Sequence, residues 1–218
     1  VAHGPTVGAG YTATIGSDLT GAGDLVKTDL GTLVLTGASS FAGASDIRSG
    51  ALRIADGGAL TTLHSTIAGD AGTRANVTVT GTDGGGNAST WASNGTLTIG
   101  NAGTGTLNVT AGGKVVSGDG NLGSNSGAVG QVLVSGTGSA WNSSGRITVG
   151  LFGTGNLRIE AGGQVSSNDA IIGDSALGEA VVTGAGSLWT NTAQLNVGSY
   201  NTGSLRIENA ASGVHNPG

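Results

Sequence analysis

Gly105-Thr-Leu-Asn-Val-Thr-Ala-Gly-Gly-Lys-Val115 returns 50 residues later as Gly155-Asn-Leu-Arg-Ile-Glu-Ala-Gly-Gly-Gln-Val165. It returns again as Gly203-Ser-Leu-Arg-Ile-Glu208, and an earlier copy reads Gly50-Ala-Leu-Arg-Ile-Ala-Asp-Gly-Gly-Ala-Leu60. A second module alternates with the first: Gln131-Val-Leu-Val-Ser-Gly-Thr-Gly-Ser-Ala-Trp141 matches Glu179-Ala-Val-Val-Thr-Gly-Ala-Gly-Ser-Leu-Trp189. Its first copy, Asn76-Val-Thr-Val-Thr-Gly81, reaches Trp91 only after an insertion around Asp83-Gly-Gly-Gly-Asn87. Both modules carry an apolar-x-apolar run, a small-residue turn and a second short apolar run. Each is preceded by an apolar residue and a glycine, at Gly69, Gly100, Gly123, Gly150, Gly173 and Gly198. Repeats of this size are the units of solenoids, whose coils bury a core only by stacking.

The spacing predicts an all-β fold, a parallel β-helix of three-strand coils of about 24 residues, roughly nine of them. For one coil it places strands near 147–150, 156–160 and 164–168. Stacked at about 4.8 Å per coil, nine coils make a rod on the order of 40 Å long. Alternation assigns the faces. Leu157 and Ile159 point inward with Leu107, Val109, Val132, Val134, Val182, Leu205 and Ile207, while Arg158, Glu160, Arg206 and Glu208 point to solvent.

Composition agrees. Glycine takes 45 of 218 positions, and turns between stacked strands often need the positive φ that glycine tolerates. Two prolines and the lack of a three-residue glycine period exclude collagen, and 37% hydrophobic residues argue against disorder. With no cysteine there is no disulfide framework or thiolate metal site. The net charge of −5, with eight dispersed Lys and Arg, disfavours nucleic acid as a partner. No run reaches the roughly 18 apolar residues of a membrane-spanning helix. The chain starts without methionine and ends Asn216-Pro217-Gly218, which reads as an excerpt of a longer polypeptide.

The segment Gly21-Ala-Gly-Asp-Leu-Val-Lys-Thr-Asp-Leu-Gly-Thr-Leu-Val-Leu-Thr-Gly37, running on to Ala42-Gly43 and Ser49-Gly50-Ala-Leu-Arg-Ile54, resembles the autotransporter-associated β-strand repeat of type V secreted passengers. Gly-x-Leu-x-Lys-Thr, Gly-Thr-Leu-x-Leu-x-Gly and Ser-Gly-x-Leu occur in order; Asp29-Leu30 departs from the small residues usual there. The repeat region is placed at 10–60, and residues 62–213 resemble the roughly 50-residue repeat of type V passengers and other bacterial surface proteins. Together they make 1–218 a single solenoid fragment. The resemblance implies a right-handed parallel β-helix exposed at, or released from, a Gram-negative outer surface, attached to the membrane only through a translocator outside this chain. It implies adhesion to a host-cell or matrix protein, to a glycan, or between sister cells, and no reaction. A purely structural stalk is the alternative.

Candidate sites follow from the repeat. Trp91, Trp141 and Trp189 recur once per two coils, in one column about 10 Å apart. Trp141 and Trp189 are candidate stacking platforms for sugars, though a corner of the core closed by indole explains them better. Phe152 and Tyr200 occupy equivalent turns, Gly150-Leu-Phe-Gly-Thr-Gly155 and Gly198-Ser-Tyr-Asn-Thr-Gly203, where the earlier copy has Ala102. Aromatics are enriched at interaction surfaces, and turns on rigid scaffolds often carry function. Asn108, Leu133, Arg158, Val181 and Arg206 form an outward column in which Arg158 and Arg206 lay their stems across exposed Leu133 and Val181. It reads as a stabilising ladder or a recognition stripe. The Asp83–Asn87 insertion is the one break in register.

Catalysis has little support. Polysaccharide cleavage needs carboxylates about 5 to 9.5 Å apart, whereas Asp70 and Asp174 lie about four coils apart, near 19 Å. His3, His64 and His215 are scattered, so no triad can be built. The echo of a calcium repeat at Asp83-Gly-Gly-Gly is weak, and the Asn-x-Ser/Thr triplets at Asn76, Asn87, Asn94, Asn108 and Asn142 carry little information in a chain this rich in those residues. No cofactor or metal is expected.

Overall fold

A computed structural model describes residues 5–211 and 213–215. It is a parallel β-helix. Two sheets have nine strands and the third has eight, and each coil contributes one strand to each sheet in turn. The first sheet runs from Thr12–Ile15 to Gly203–Glu208, the second from Thr20–Gly21 to Gly213–His215, the third from Leu25–Lys27 to Leu195–Val197. In the coil read from sequence the strands are Arg146–Val149, Thr154–Glu160 and Gln164–Ser167.

Register fixes the coil lengths. Thr12, Thr32, Ala51, Asn76, Thr106, Gln131, Asn156, Glu179 and Ser204 share one column, so successive coils take 20, 19, 25, 30, 25, 25, 23 and 25 residues. The first two are shorter than the expected 24 because their strands are shorter: Thr32–Leu35 has four residues where Thr104–Thr110 has seven. The coil of 30 holds the insertion, a small hairpin closed by an antiparallel bridge between Thr82 and Ala88. Asp83 organises it, accepting from the backbone N–H of Gly85 and Asn87 and from Asn87 Nδ2, each at 2.8 Å. Those donors hold the Asp83 carboxyl below its usual range, the Asn87 amide most strongly.

The first-sheet strands alternate as expected. Leu107, Val109, Val134, Leu157, Ile159 and Val182 are buried, and Arg158 and Arg206 are exposed. Ile207, 47% exposed, and Leu205, partly buried, are the exceptions among the inward residues, because they lie in the last described coil and no further described coil covers them. Lys27 breaks the pattern from the other side. It points inward, 1% exposed, and Nζ donates to the carbonyls of Asp29 at 2.6 Å and Ser49 at 3.3 Å. Burial pushes its ammonium below the usual lysine value against the pull of Asp29.

The second-sheet column facing the interior alternates Trp91, Val115, Trp141, Val165 and Trp189, and all three indoles have 0% exposure. Space for them comes from the third sheet. A Cβ on Gly120 would collide with the Trp141 ring, and Ser65 and Ala170 hold the same column one coil before Trp91 and Trp189. Beside the indoles runs a buried polar column of Thr62, Ser93, Ser117, Ser143, Ser167 and Asn191. Trp141 Nε1 donates to Ser117 Oγ at 3.0 Å and Trp189 Nε1 to Ser167 Oγ at 3.1 Å. Trp91 Nε1 has no partner; the hydroxyl one coil earlier, on Thr62, is engaged with Ser65 Oγ at 2.9 Å.

Each indole follows a buried serine two residues before it. Ser139 Oγ donates to the Ser135 carbonyl at 2.8 Å and accepts from the Gly112 N–H of the preceding coil at 3.0 Å; Ser187 makes the same pair of bonds with Thr183 and Gly162. Ser139→Ala removes both bonds, so we expect a loss of about 1–3 kcal/mol in denaturant unfolding. A loss within the noise of the measurement would mean that water replaces the hydroxyl.

The turn from the first to the second sheet uses two consecutive left-handed residues, Ala111 and Gly112 or Ala161 and Gly162, with φ of 51°, 86°, 53° and 85°. Positive φ is therefore not confined to glycine in this chain. In the turn from the third to the first sheet Ala68 takes φ of 57°, but later coils need glycine there because the next coil comes close. Gly100 and Gly150, at φ 69° and 83°, lie against the backbone of the next coil, where a Cβ would overlap the carbonyl oxygens of Val129 and Leu177.

Candidate interaction surface

The turns joining the third sheet to the first stack into a row along the rod. Backbone bonds lock it: Asp174 N–H donates to the Gly150 carbonyl at 3.1 Å, Ser175 to Leu151 at 2.9 Å and Tyr200 to Asp174 at 3.1 Å. Asparagine side chains continue the ladder, Asn101 Nδ2 to the Gly69 carbonyl at 3.2 Å, Asn125 Nδ2 to that of Asn101 at 2.7 Å and Asn201 Nδ2 to that of Ser175 at 3.1 Å. From this row Phe152 and Tyr200 project, 58% and 86% exposed and two coils, about 10 Å, apart. The turn of the intervening coil carries Leu177, 47% exposed, which the sequence reading missed; an apolar residue directly before the turn-closing Gly178 was the available signal.

Arg158 and Arg206 flank Val181 in register on the first sheet. Each binds the carboxylate two residues on, Arg158 Nε to Glu160 Oε2 at 2.5 Å and Arg206 Nη2 to Glu208 Oε2 at 2.6 Å, since residues i and i+2 of a strand share a face. The Glu208 hydrogen bond raises the Arg206 guanidinium above its usual value. The expectation of an exposed Val181 is corrected: it is 7% exposed, because arginine stems on both sides take it out of water, and Leu133 is half-buried.

Trp141 and Trp189 are also corrected as platforms. A sugar stacks on an accessible ring face, and both rings are enclosed by the coil interior. Asp70 and Asp174 follow third-sheet strands four steps apart, and Glu160 and Glu208 are engaged by arginine. His64 uses Nδ1 to accept the Thr96 N–H at 3.1 Å, and His3 lies outside the described residues. Among the described residues no three His, Cys, Asp or Glu side chains cluster as metal ligands, and no helix is long and apolar enough to cross a membrane.

Comparison with known proteins adds two findings. The family model of the passenger-associated-transport-repeat matches residues 25–54, which contain the buried Lys27 and end in the strand Gly50–Ala55. The chain is 50% identical over 72 residues to the adhesin BmaC autotransporter of Brucella suis biovar 1 (strain 1330). Both matches support an autotransporter passenger. The aligned stretch is 33% of this chain and 2% of that protein, so the chain spans a small fraction of the relative it matches. No solved structure matches the chain significantly.

Proposed function

We propose that this passenger segment works outside a Gram-negative cell, exposed on its surface or released from it, in adhesion and without catalysis. Its partner is a host-cell or matrix protein, a glycan, or a sister cell, and the contact runs through the turn row carrying Phe152 and Tyr200. One observation carries the reading. A chain that encloses all three tryptophans leaves Phe152 and Tyr200 58% and 86% exposed on turns fixed by backbone hydrogen bonds. Aromatics on a rigid frame supply contact area at low entropic cost, and such side chains dominate many interfaces. The name of the Brucella relative is consistent with this role.

The test is binding of the fragment to cultured cells and to a matrix-protein and glycan panel, repeated with the double variant Phe152→Ala, Tyr200→Ala. We expect the variant to lose about tenfold or more in affinity while its unfolding free energy stays within about 0.5 kcal/mol, because neither ring supports the core. Equal binding by the variant would remove the turn row from the account. A second reading, a stalk that spaces a distal domain, is favoured by the unbroken register of the nine-stranded sheets. It is the correct one if the fragment binds nothing while a longer passenger containing it does.

A further inference from the structure

Of the eight basic side chains, four arginines pair with carboxylates: Arg48 with Asp46, Arg146 with Asp169, Arg158 with Glu160 and Arg206 with Glu208. Lys27 is buried on backbone carbonyls and Lys114 belongs to the second sheet. Arg53 and Arg74 differ. Both are exposed on the first sheet, and among the described residues neither makes an ion pair. Arg53 is in register with Thr78, four residues beyond Arg74 on the neighbouring strand, which separates the two arginines by about 14 Å.

Arg74 lines a depression of about 210 Å³ together with Asn76, Thr104, Thr106 and Gln131. No carboxylate lines it, whereas the depressions around Arg146 and Arg158 contain Asp119 and Asp169 or Glu179. The amides here are turned one way. Asn76 Oδ1 accepts from Asn108 Nδ2 at 3.2 Å and from Thr78 Oγ1 at 3.4 Å, and Gln131 Oε1 accepts from Thr106 Oγ1 at 3.4 Å. Each amide spends its acceptor internally and keeps its NH₂ group free, so the depression offers a guanidinium and two amide donors.

We infer that this face of the first sheet binds an anionic polysaccharide, with a carboxylate or sulfate on Arg74 and a second along the chain on Arg53. Guanidinium matches either group with paired hydrogen bonds, and the amide donors suit the oxygens of adjoining sugars. The depression has no large aromatic or aliphatic anchor of the kind a folded protein partner uses. Arg74 lies three coils from the Phe152 turn, and the site does not depend on Phe152 or Tyr200.

The experiment measures retention of the fragment on polygalacturonate, heparin, neutral dextran and poly-glutamate at low and high salt. We expect retention on polygalacturonate or heparin, the better of the two telling carboxylate from sulfate, and none on dextran. Raising salt weakens it through screening. Arg74→Ala and Arg53→Ala each lower the affinity about tenfold, whereas Lys114→Ala, which removes the same charge from another face, leaves it within about twofold. Unfolding midpoints of all three variants report that the fold is intact. No retention on either polysaccharide, equal retention on dextran, retention on poly-glutamate as tight as on the polysaccharides, or equal effects of Arg74→Ala and Lys114→Ala would each overturn the inference. The probes are purified polymers and the variants avoid the turn row, so failure here leaves the role of Phe152 and Tyr200 standing, and the reverse holds.

Discussion

Trp141→Ala destabilises the fragment by about 3–5 kcal/mol, the range for deleting a large buried aromatic from a packed interior. The indole has 0% exposure and sits between Val115 and Val165 in the second-sheet column, so the hole cannot drain to solvent without opening the coil. Its loss also frees Ser117 Oγ, which now accepts from Nε1 at 3.0 Å. Phenylalanine separates the two contributions. Trp141→Phe keeps most of the ring and forfeits the hydrogen bond, whereas Trp91→Phe forfeits none, because Trp91 Nε1 has no partner. The first should therefore cost about 1 kcal/mol more than the second. Urea unfolding of the four proteins checks the series, and a Trp141→Ala loss under about 1 kcal/mol would place the indole outside the core.

Gly100→Val is expected to cost at least about 3 kcal/mol, from two sources. A β-branched residue strongly disfavours φ of 69°, and its Cβ would overlap the Val129 carbonyl of the next coil. Gly72→Ala is the control. It sits at a similar φ of 74° with nothing within 4 Å of a Cβ, so only the backbone term of about 1–2 kcal/mol applies. Equal losses at the two positions would mean that adjacent coils are not in contact at Gly100.

The two substitutions probe what was most legible in the sequence. A Trp that returns with each double coil and a glycine that returns with each coil are periodic, and period translates directly into stacking. The inward and outward faces of the first sheet and the extra residues at Asp83–Asn87 follow from the same alignment. Features set by relations across coils were harder to read. The stems of Arg158 and Arg206 were expected across both Leu133 and Val181, but the column did not separate a Val181 only 7% exposed, with an arginine on either side, from a half-buried Leu133. Ala68, Ala111 and Ala161 adopt the positive φ that the sequence reading linked to glycine. Lys27 points inward because carbonyls of its own and the next coil satisfy it, which no local pattern signals.

The candidate surface divides in the same way. Phe152 and Tyr200 stood out because aromatics are rare in this chain and turns rarely need them for packing. Arg53 and Arg74 did not, since an arginine is conspicuous there only once its sisters prove to be paired and the neighbouring amides to have used their acceptors. Both surfaces depend on one arrangement: a rigid stack that encloses its indoles and leaves selected side chains at fixed spacing outside.

Iodide quenching of tryptophan fluorescence tests that arrangement most directly. With three indoles at 0% exposure, the native fragment should be quenched only slightly, and quenching should rise to that of a free indole when the chain unfolds in urea. Native quenching close to the unfolded value would contradict the stacked-coil account and everything built on it.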